Sequence, residues 1–339
     1  MSLDRKELLG LMKATALADA SKSLTYSVAG QTLSIDAMNS TLRDELNGYA
    51  KDYATFRENK NLLMALMEET LDDVLPRRVM ERYGDFAEVK TFAQGDKTVF
   101  VKKTGKQRAK QFITAVGHAG RYEVFKLASK SFGMEMKAVG GAAQIGLEEF
   151  LDGRVDFAEL IQIVLDAMDE RVYEEIAKAL IAGINSLPAA NKVVKTGFVE
   201  ADFDKLLAIA TSYGAPAIYC TYEFAVKMLP DSAWISEAMK NERWAKGYFT
   251  RYKGYPVIIL PQSYTDETNA TKVIDPSYAW IFAGDTKPVK VGFEGQTLVR
   301  EVENDDWSRE FQAYKKFGVI AIMDSDVLSY RDEALKVTE

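Results

Sequence analysis

Apolar side chains recur at Phe157, Leu160, Ile161, Val164, Met168, Val172, Ile176 and Leu180, the three-then-four step of one helical face. The spacing predicts one long helix over 156–186. Asp156 and Glu159 stand three apart as a capping box, and Val155 and Leu160 are placed as its hydrophobic staple. Gly183 and then Pro188 end it. At about 1.5 Å per residue such a helix spans roughly 40 Å, long enough to act as a strut. Its polar side is lopsided, with Glu159, Asp166, Asp169, Glu170, Glu174 and Glu175 against only Arg171 and Lys178, which predicts an acidic, solvated face.

Residues 1–60 are polar and helical in pattern, with Leu3, Leu8, Leu9 and Leu11 first and a separate piece from Thr41 to Tyr53. So few apolar positions predict an extended arm that finds its partners on other surfaces. Leu62 to Val74 reads as a short amphipathic helix stopped by Pro76. From about Glu88 to Lys130 the pattern turns to β: KTVFVKK, a polar turn TGKQR, then QFITAV, a long hairpin. Lys97, Lys102, Lys103, Lys106, Arg108 and Lys110 make its tip strongly basic. No aromatic residues interleave there to stack bases, so an acidic neighbouring subunit is the better partner, and lysines that guard a solvated strand edge are the plain alternative. Residues 122–151 read as strands broken by Gly133, Gly140, Gly141 and Gly146, and the glycine cluster fits no phosphate-binding spacing. After the strut, helices and short buried strands alternate over 198–300, including DFDKLLAIATSY, APAIYC, WISEAMKNERWAKG, GYPVIILPQ and YAWIFAGD. Trp307 to Asp324 should then return as a strand to the first domain, which makes the fold α+β.

At 339 residues, 47% of them hydrophobic, the chain has core material for about two domains. A net charge of -7 argues against affinity for bare nucleic acid, which needs clustered Lys and Arg. Cys220 stands alone in an apolar run, as a buried small hydrophobe would. No basic leader followed by an apolar run opens the sequence and no stretch reaches the ~20 apolar residues of a membrane span, so neither export by that route nor membrane insertion is expected. The single histidine, His118, has no second imidazole at ligand spacing, and both CxxC and GxSxG are absent. Asp72 with Asp73, Glu148 with Glu149 and Asp305 with Asp306 could do acid and base work, but fifty acidic residues supply such pairs by chance. No catalytic, metal-binding or cofactor-binding residue is assigned, and no cofactor is expected.

The order of these parts resembles the major capsid protein of tailed bacteriophages, a fold shared with encapsulin shells. LEEFLDGRVDFAELIQIVLDAMDERVYEEIAKALIAGI looks like the family's passage into its spine helix, and RYKGYPVIILPQ, WIFAGDTKPVKVGF and WSREFQAYKKFGVIAIMDSDV look like its later strands. The resemblance implies an N-terminal arm at 1–60, an extended β-hairpin loop at 88–130 and an axial domain at 198–300. It also implies a peripheral domain made of 61–87, 131–197 and 301–339, with the spine helix at 156–186. It implies no enzyme but a structural protein that self-assembles as hexamers and pentamers into an icosahedral shell around double-stranded DNA, held without sequence-specific binding and without a membrane. The site in the virion would be the capsid, assembled in the host cytoplasm with a portal, a decoration protein and a scaffolding protein that is separate or replaced by the arm. Lys102, Lys103, Lys106, Arg108 and Lys110 would make contacts across subunits, and Glu159, Asp166, Asp169, Glu170 and Glu174 would form an acidic inner face that lets packaged DNA slide. Two other readings stay open: an encapsulin-like shell around protein cargo, and a soluble carboxylate-dependent enzyme.

Overall fold

The computed structural model describes residues 3–17, 26–28, 31–49, 51–103, 129–145, 157–229, 235–266, 268–284, 287–303 and 309–336. It begins with helix α1 (Arg5–Leu17), a short pair β1 (Tyr26–Val28) and β2 (Gln31–Leu33), and helix α2 (Ile35–Tyr49). Helix α3 (Tyr53–Tyr83) follows, started by the Asp52 carboxylate, which accepts the amide of Thr55.

Helix α3 runs for 31 residues, so the stop expected at Pro76 does not occur. Proline cannot donate to the Asp72 carbonyl, a defect of about 3 kcal/mol inside a helix. Leu71, Val74, Leu75, Val79 and Tyr83, on both sides of it, are all buried. At about 1.5–3 kcal/mol for each large apolar side chain, that packing outweighs the missing bond.

The N-terminal helices also differ from the expected extended arm. Leu8, Leu11 and Met12 of α1 and Met38, Leu42 and Leu46 of α2 are buried in the main core, with α1 against α3 and α2 against the long helix α4 (Phe157–Gly183). A thin apolar stripe is enough here because α3 and α4 supply the rest of the core.

Two sheets flank these helices. The four-stranded sheet has the order β3 (Ala87–Phe92), β12 (Val289–Glu303), β13 (Arg309–Ala321), β6 (Lys137–Ile145), with β3 and β12 parallel and the other pairs antiparallel. Alternate residues Phe311, Ala313, Lys315 and Phe317 of β13 are buried on the side that α3 and α4 cover. The six-stranded sheet has the order β7 (Lys192–Lys195), β14 (Val327–Asp332), β11 (Tyr278–Ala283), β8 (Pro216–Cys220), β10 (Tyr255–Ile259), β9 (Arg251–Tyr252). Helices α5 (Glu200–Thr211) and α6 (Tyr222–Lys227) bury Phe203, Leu206 and Phe224 on one of its faces. On the other, Tyr219, Trp280 and Phe282 join the main core around Phe86.

The two sheets draw strands from distant parts of the chain. Strand β12, most of which falls in the 198–300 range, belongs to the four-stranded sheet, while β7 and β14 lie outside that range yet build the six-stranded one. Residues Trp307 to Asp324, expected as a strand, form β13 over Arg309–Ala321, which pairs with β6 and β12, and β14 follows it. The chain leaves the six-stranded sheet after β11, adds β12 and β13 to the four-stranded one and comes back with β14, which a reading in chain order does not reveal.

Candidate functional site

Of the face that the spacing predicts, Ile161, Val164, Met168, Val172, Ile176 and Leu180 are buried on helix α4, with Leu165 beside them, while the side chains of Phe157 and Leu160 lie outside what the structure describes. Asp156 lies outside the described residues. Glu159 is exposed, but the other acids of the polar face are engaged. Arg78 of α3 donates to Asp166 at 2.6 Å, and Arg82, one turn further along α3, pairs with Asp169. Asp169 is fully buried, which corrects its place on a solvated face: α3 lies alongside and covers it. Glu170 accepts a hydrogen bond from Ser263, and Tyr173 donates to the Pro261 carbonyl, both in the loop after β10. Glu174 and Glu175 meet Arg171 and Lys178 of α4, and Lys137 of β6 reaches Glu175 at 3.1 Å. The acidic side of α4 therefore grips α3, the four-stranded sheet and the six-stranded sheet at once.

Burial raises the pKa of Asp169 above the ordinary 3.8, more than the attraction of Arg82 and Arg78 lowers it. Burial would raise Glu175 as well, but the hydrogen bond and charge of Lys137 hold it below its ordinary range. Asp169 thus keeps its proton more readily in the fold than in the unfolded chain. Its contribution to stability grows as the pH falls from neutrality through its raised folded pKa towards 3.8. Denaturant titrations of Asp169→Asn beside the parent are expected to show the parent gaining on the variant over that window. A difference that stays constant with pH would show that Asp169 titrates as it does in the unfolded chain.

The hairpin strand β4 (Val99–Lys103) pairs antiparallel with β5 (Ser129–Gly133), from Val99 opposite Gly133 to Lys103 opposite Ser129. Lys102 and Lys103 sit at the far end of β4. Lys106, Arg108, Lys110, His118 and the QFITAV segment expected as the partner strand lie outside the described residues. At the base of the hairpin Phe100 is buried with Met134 and Ile322, and Lys90 stands over the Phe100 ring.

On the face of the four-stranded sheet turned away from α3 and α4 lies an open groove of about 720 Å³, lined by Gly140, Ala142, Leu298, Arg300, Tyr314 and Lys316. A Cβ on Gly140 would stand 2.9 Å from the Ala313 carbonyl oxygen, so close strand packing explains that glycine. The carboxylate pair Asp72 and Asp73 is taken up in structure: Asp72 by Thr297 and Lys315, Asp73 by Lys13. Glu148, Glu149, Asp305 and Asp306 lie outside the described residues. Cys220 is buried and its thiol is pushed up to about 12 by burial, as suits a core residue. Among the described residues no cluster of His, Cys, Asp and Glu is placed to hold a metal, and no helix is long and apolar enough to cross a membrane.

The family model of the "SPbeta prophage-derived putative capsid protein YonB" aligns with residues 10–324, nearly the whole chain. The chain belongs to this capsid protein family. Its role is that of a phage major capsid protein, a structural subunit with an α+β fold, and its place is the virion. The chain is also similar in fold to solved shells. The virus-like particle from Pyrococcus furiosus is 14% identical at a TM-score of 0.45, over 77% of this chain and 98% of that one. The capsid of the cyanophage P-SCSP1u is 11% identical at 0.48, over 74% and 87%. The capsid of the native GTA particle is 14% identical at 0.48, over 74% and 89%. No curated protein matches the chain in sequence.

Proposed function

We propose that the protein assembles as hexamers and pentamers into a closed icosahedral shell around double-stranded DNA in the host cytoplasm, with the basic hairpin lying across a neighbouring subunit. The match of the capsid family over residues 10–324 carries this reading. The hairpin supports it: a two-stranded ribbon is marginal alone and gains from a surface beyond its own subunit. Lys102 and Lys103 on β4, with Lys106, Arg108 and Lys110 beyond, would seek acidic side chains there. Helix α4 would face the interior as a brace. Because Asp166, Asp169, Glu170 and Glu174 are engaged within the subunit, Glu159 is the member of that set left to repel DNA. A separate scaffolding protein, a portal and a decoration protein are the partners such a shell would use.

Electron microscopy of the purified protein, with and without nuclease treatment, tests the reading. Closed shells or rings with sixfold and fivefold units are expected from the parent, and Lys102→Glu/Lys103→Glu/Lys106→Glu is expected to stay folded and fail to close. Normal particles from that variant would remove the hairpin from the interface, and particles that hold protein cargo in place of DNA would favour an encapsulin-like shell. A small fixed oligomer that never assembles would overturn the shell.

A further inference from the structure

Gly292 of β12 and Gly318 of β13 stand directly opposite each other in the four-stranded sheet. Their neighbours Val291, Phe293 and Phe317 point into the main core, so the two glycines lie on the other face, turned away from α3 and α4. Side by side they leave a notch in that face, and Met134 fills it. A Cβ on Gly318 would stand 2.8 Å from Cγ and 2.9 Å from Sδ of Met134, and one on Gly292 would stand 3.0 Å from the same sulfur. Neither position has room for any side chain while Met134 is in place. An unbranched, pliable methionine suits so narrow a slot.

Met134 sits where the hairpin rejoins the body, since β5 ends at Gly133 and β6 begins at Lys137. Its backbone is clasped by the other leg of the hairpin: its amide donates to the Thr98 carbonyl at 2.9 Å, and its carbonyl accepts the Thr98 hydroxyl at 2.7 Å. Thr98 comes just before β4, so one residue fastens both legs. A second tie lies close by, where the Gly95 amide donates to Glu294 at 3.0 Å, two residues along β12 from Gly292. Around Met134 the buried Phe100 and Ile322 make a small cluster apart from the two larger cores. Among the described residues β4 and β5 pair only with each other, so these contacts at the base decide where the ribbon points.

We propose that Met134, seated between Gly292 and Gly318, is a positioning residue that sets the direction in which the hairpin leaves the subunit. A ribbon aimed in advance gives up less freedom on meeting a partner surface than one that swings. The inference concerns a single subunit and stands apart from the shell reading.

Double electron–electron resonance on the full chain tests it. Spin labels at Val101→Cys on β4 and Ile163→Cys on α4, both exposed positions, measure the distance from hairpin to body. A second pair, Ile163→Cys and Val194→Cys, measures a distance within the body. The native Cys220 is buried and takes no label, and dilution with unlabelled protein removes distances between copies. The parent is expected to give one narrow hairpin distance. Met134→Ala empties the notch, and Gly318→Ala sets a methyl 2.5 Å from the Glu135 carbonyl oxygen, which forces the seated segment out. Each is expected to lose the single narrow hairpin peak while the body distance stays as in the parent. A parent with a broad hairpin distance would overturn the proposal, and so would either variant that keeps the parent's narrow peak. Equal broadening of both distances in Met134→Ala would overturn it too, because the methionine would then hold the whole fold together. Met134→Ala only removes atoms from a cluster outside the two larger cores, so it decides the matter even where Gly318→Ala does not fold.

Discussion

Val164→Asp is expected to unfold the subunit. Val164 is 7% exposed, in the middle of the face that α4 turns to the main core, among Ile161, Leu165, Met168 and Val172. The substitution gives up the burial of a valine, worth about 1.5 kcal/mol or more, and sets a carboxylate where the side chains around it are apolar. An unpaired buried charge costs several kcal/mol before it picks up a proton. Domains of ordinary stability hold only about 5–15 kcal/mol in reserve, so the folded population should collapse, seen as loss of the cooperative melt and as aggregation on expression. Ile163→Asp is the matched control. It changes the adjacent residue, which is 51% exposed on the other side of the helix, and should move stability by no more than about 0.5 kcal/mol. A soluble, cooperatively melting Val164→Asp protein would mean that α4 presents a different face to the core.

The face of α4 was legible because one side of a long helix repeats its apolar step often enough to leave no second phase. What its polar side does was not legible. Arg78 and Arg82 come 88 and 87 residues before the acids they meet, and a helical wheel says nothing about which neighbour lies alongside. Asp169 therefore read as solvated when it is buried. Pro76 misled in another way: the local rule is sound, but the apolar contacts on both sides of it were worth more than one hydrogen bond. The apolar runs of β11, β12 and β13 are legible in the sequence and β14 is not, and the four strands go to the sheets in the order six-stranded, four-stranded, four-stranded, six-stranded. Hydrophobic runs carry no record of which sheet they join. The helix Glu237–Lys246 was likewise visible in WISEAMKNERWAKG, but that Trp244 is 93% exposed on it is a fact of packing. The capsid resemblance survived these errors because it rested on the order of parts along the chain, which the family match over 10–324 also spans.

The second large effect should come from Asp72→Ala. The Asp72 carboxylate accepts the Thr297 amide at 2.7 Å and the Thr297 hydroxyl, and pairs with Lys315, whose ammonium also reaches the Gly295 carbonyl at 2.8 Å. These bonds pin α3 to the irregularity in β12 between Glu294 and Leu298, next to Glu68, which accepts the Val299 amide at 2.8 Å. Lys315 is 4% exposed, so removing Asp72 leaves a buried cation with one carbonyl for company and the Thr297 amide with no acceptor. Breaking one side of a buried pair in this way typically costs about 3–5 kcal/mol, most of it the penalty of the stranded charge. That account makes a second forecast that a simple loss of contacts does not. Asp72→Ala/Lys315→Met should be more stable than Asp72→Ala alone, because methionine fills the lysine's space without needing a counter-ion. Denaturant melts of the two single variants and the double variant close the cycle. If the double variant is no better than Asp72→Ala, the lost stability lies in the bonds to Thr297, and the strand irregularity in β12 is held by the helix rather than by the charge pair.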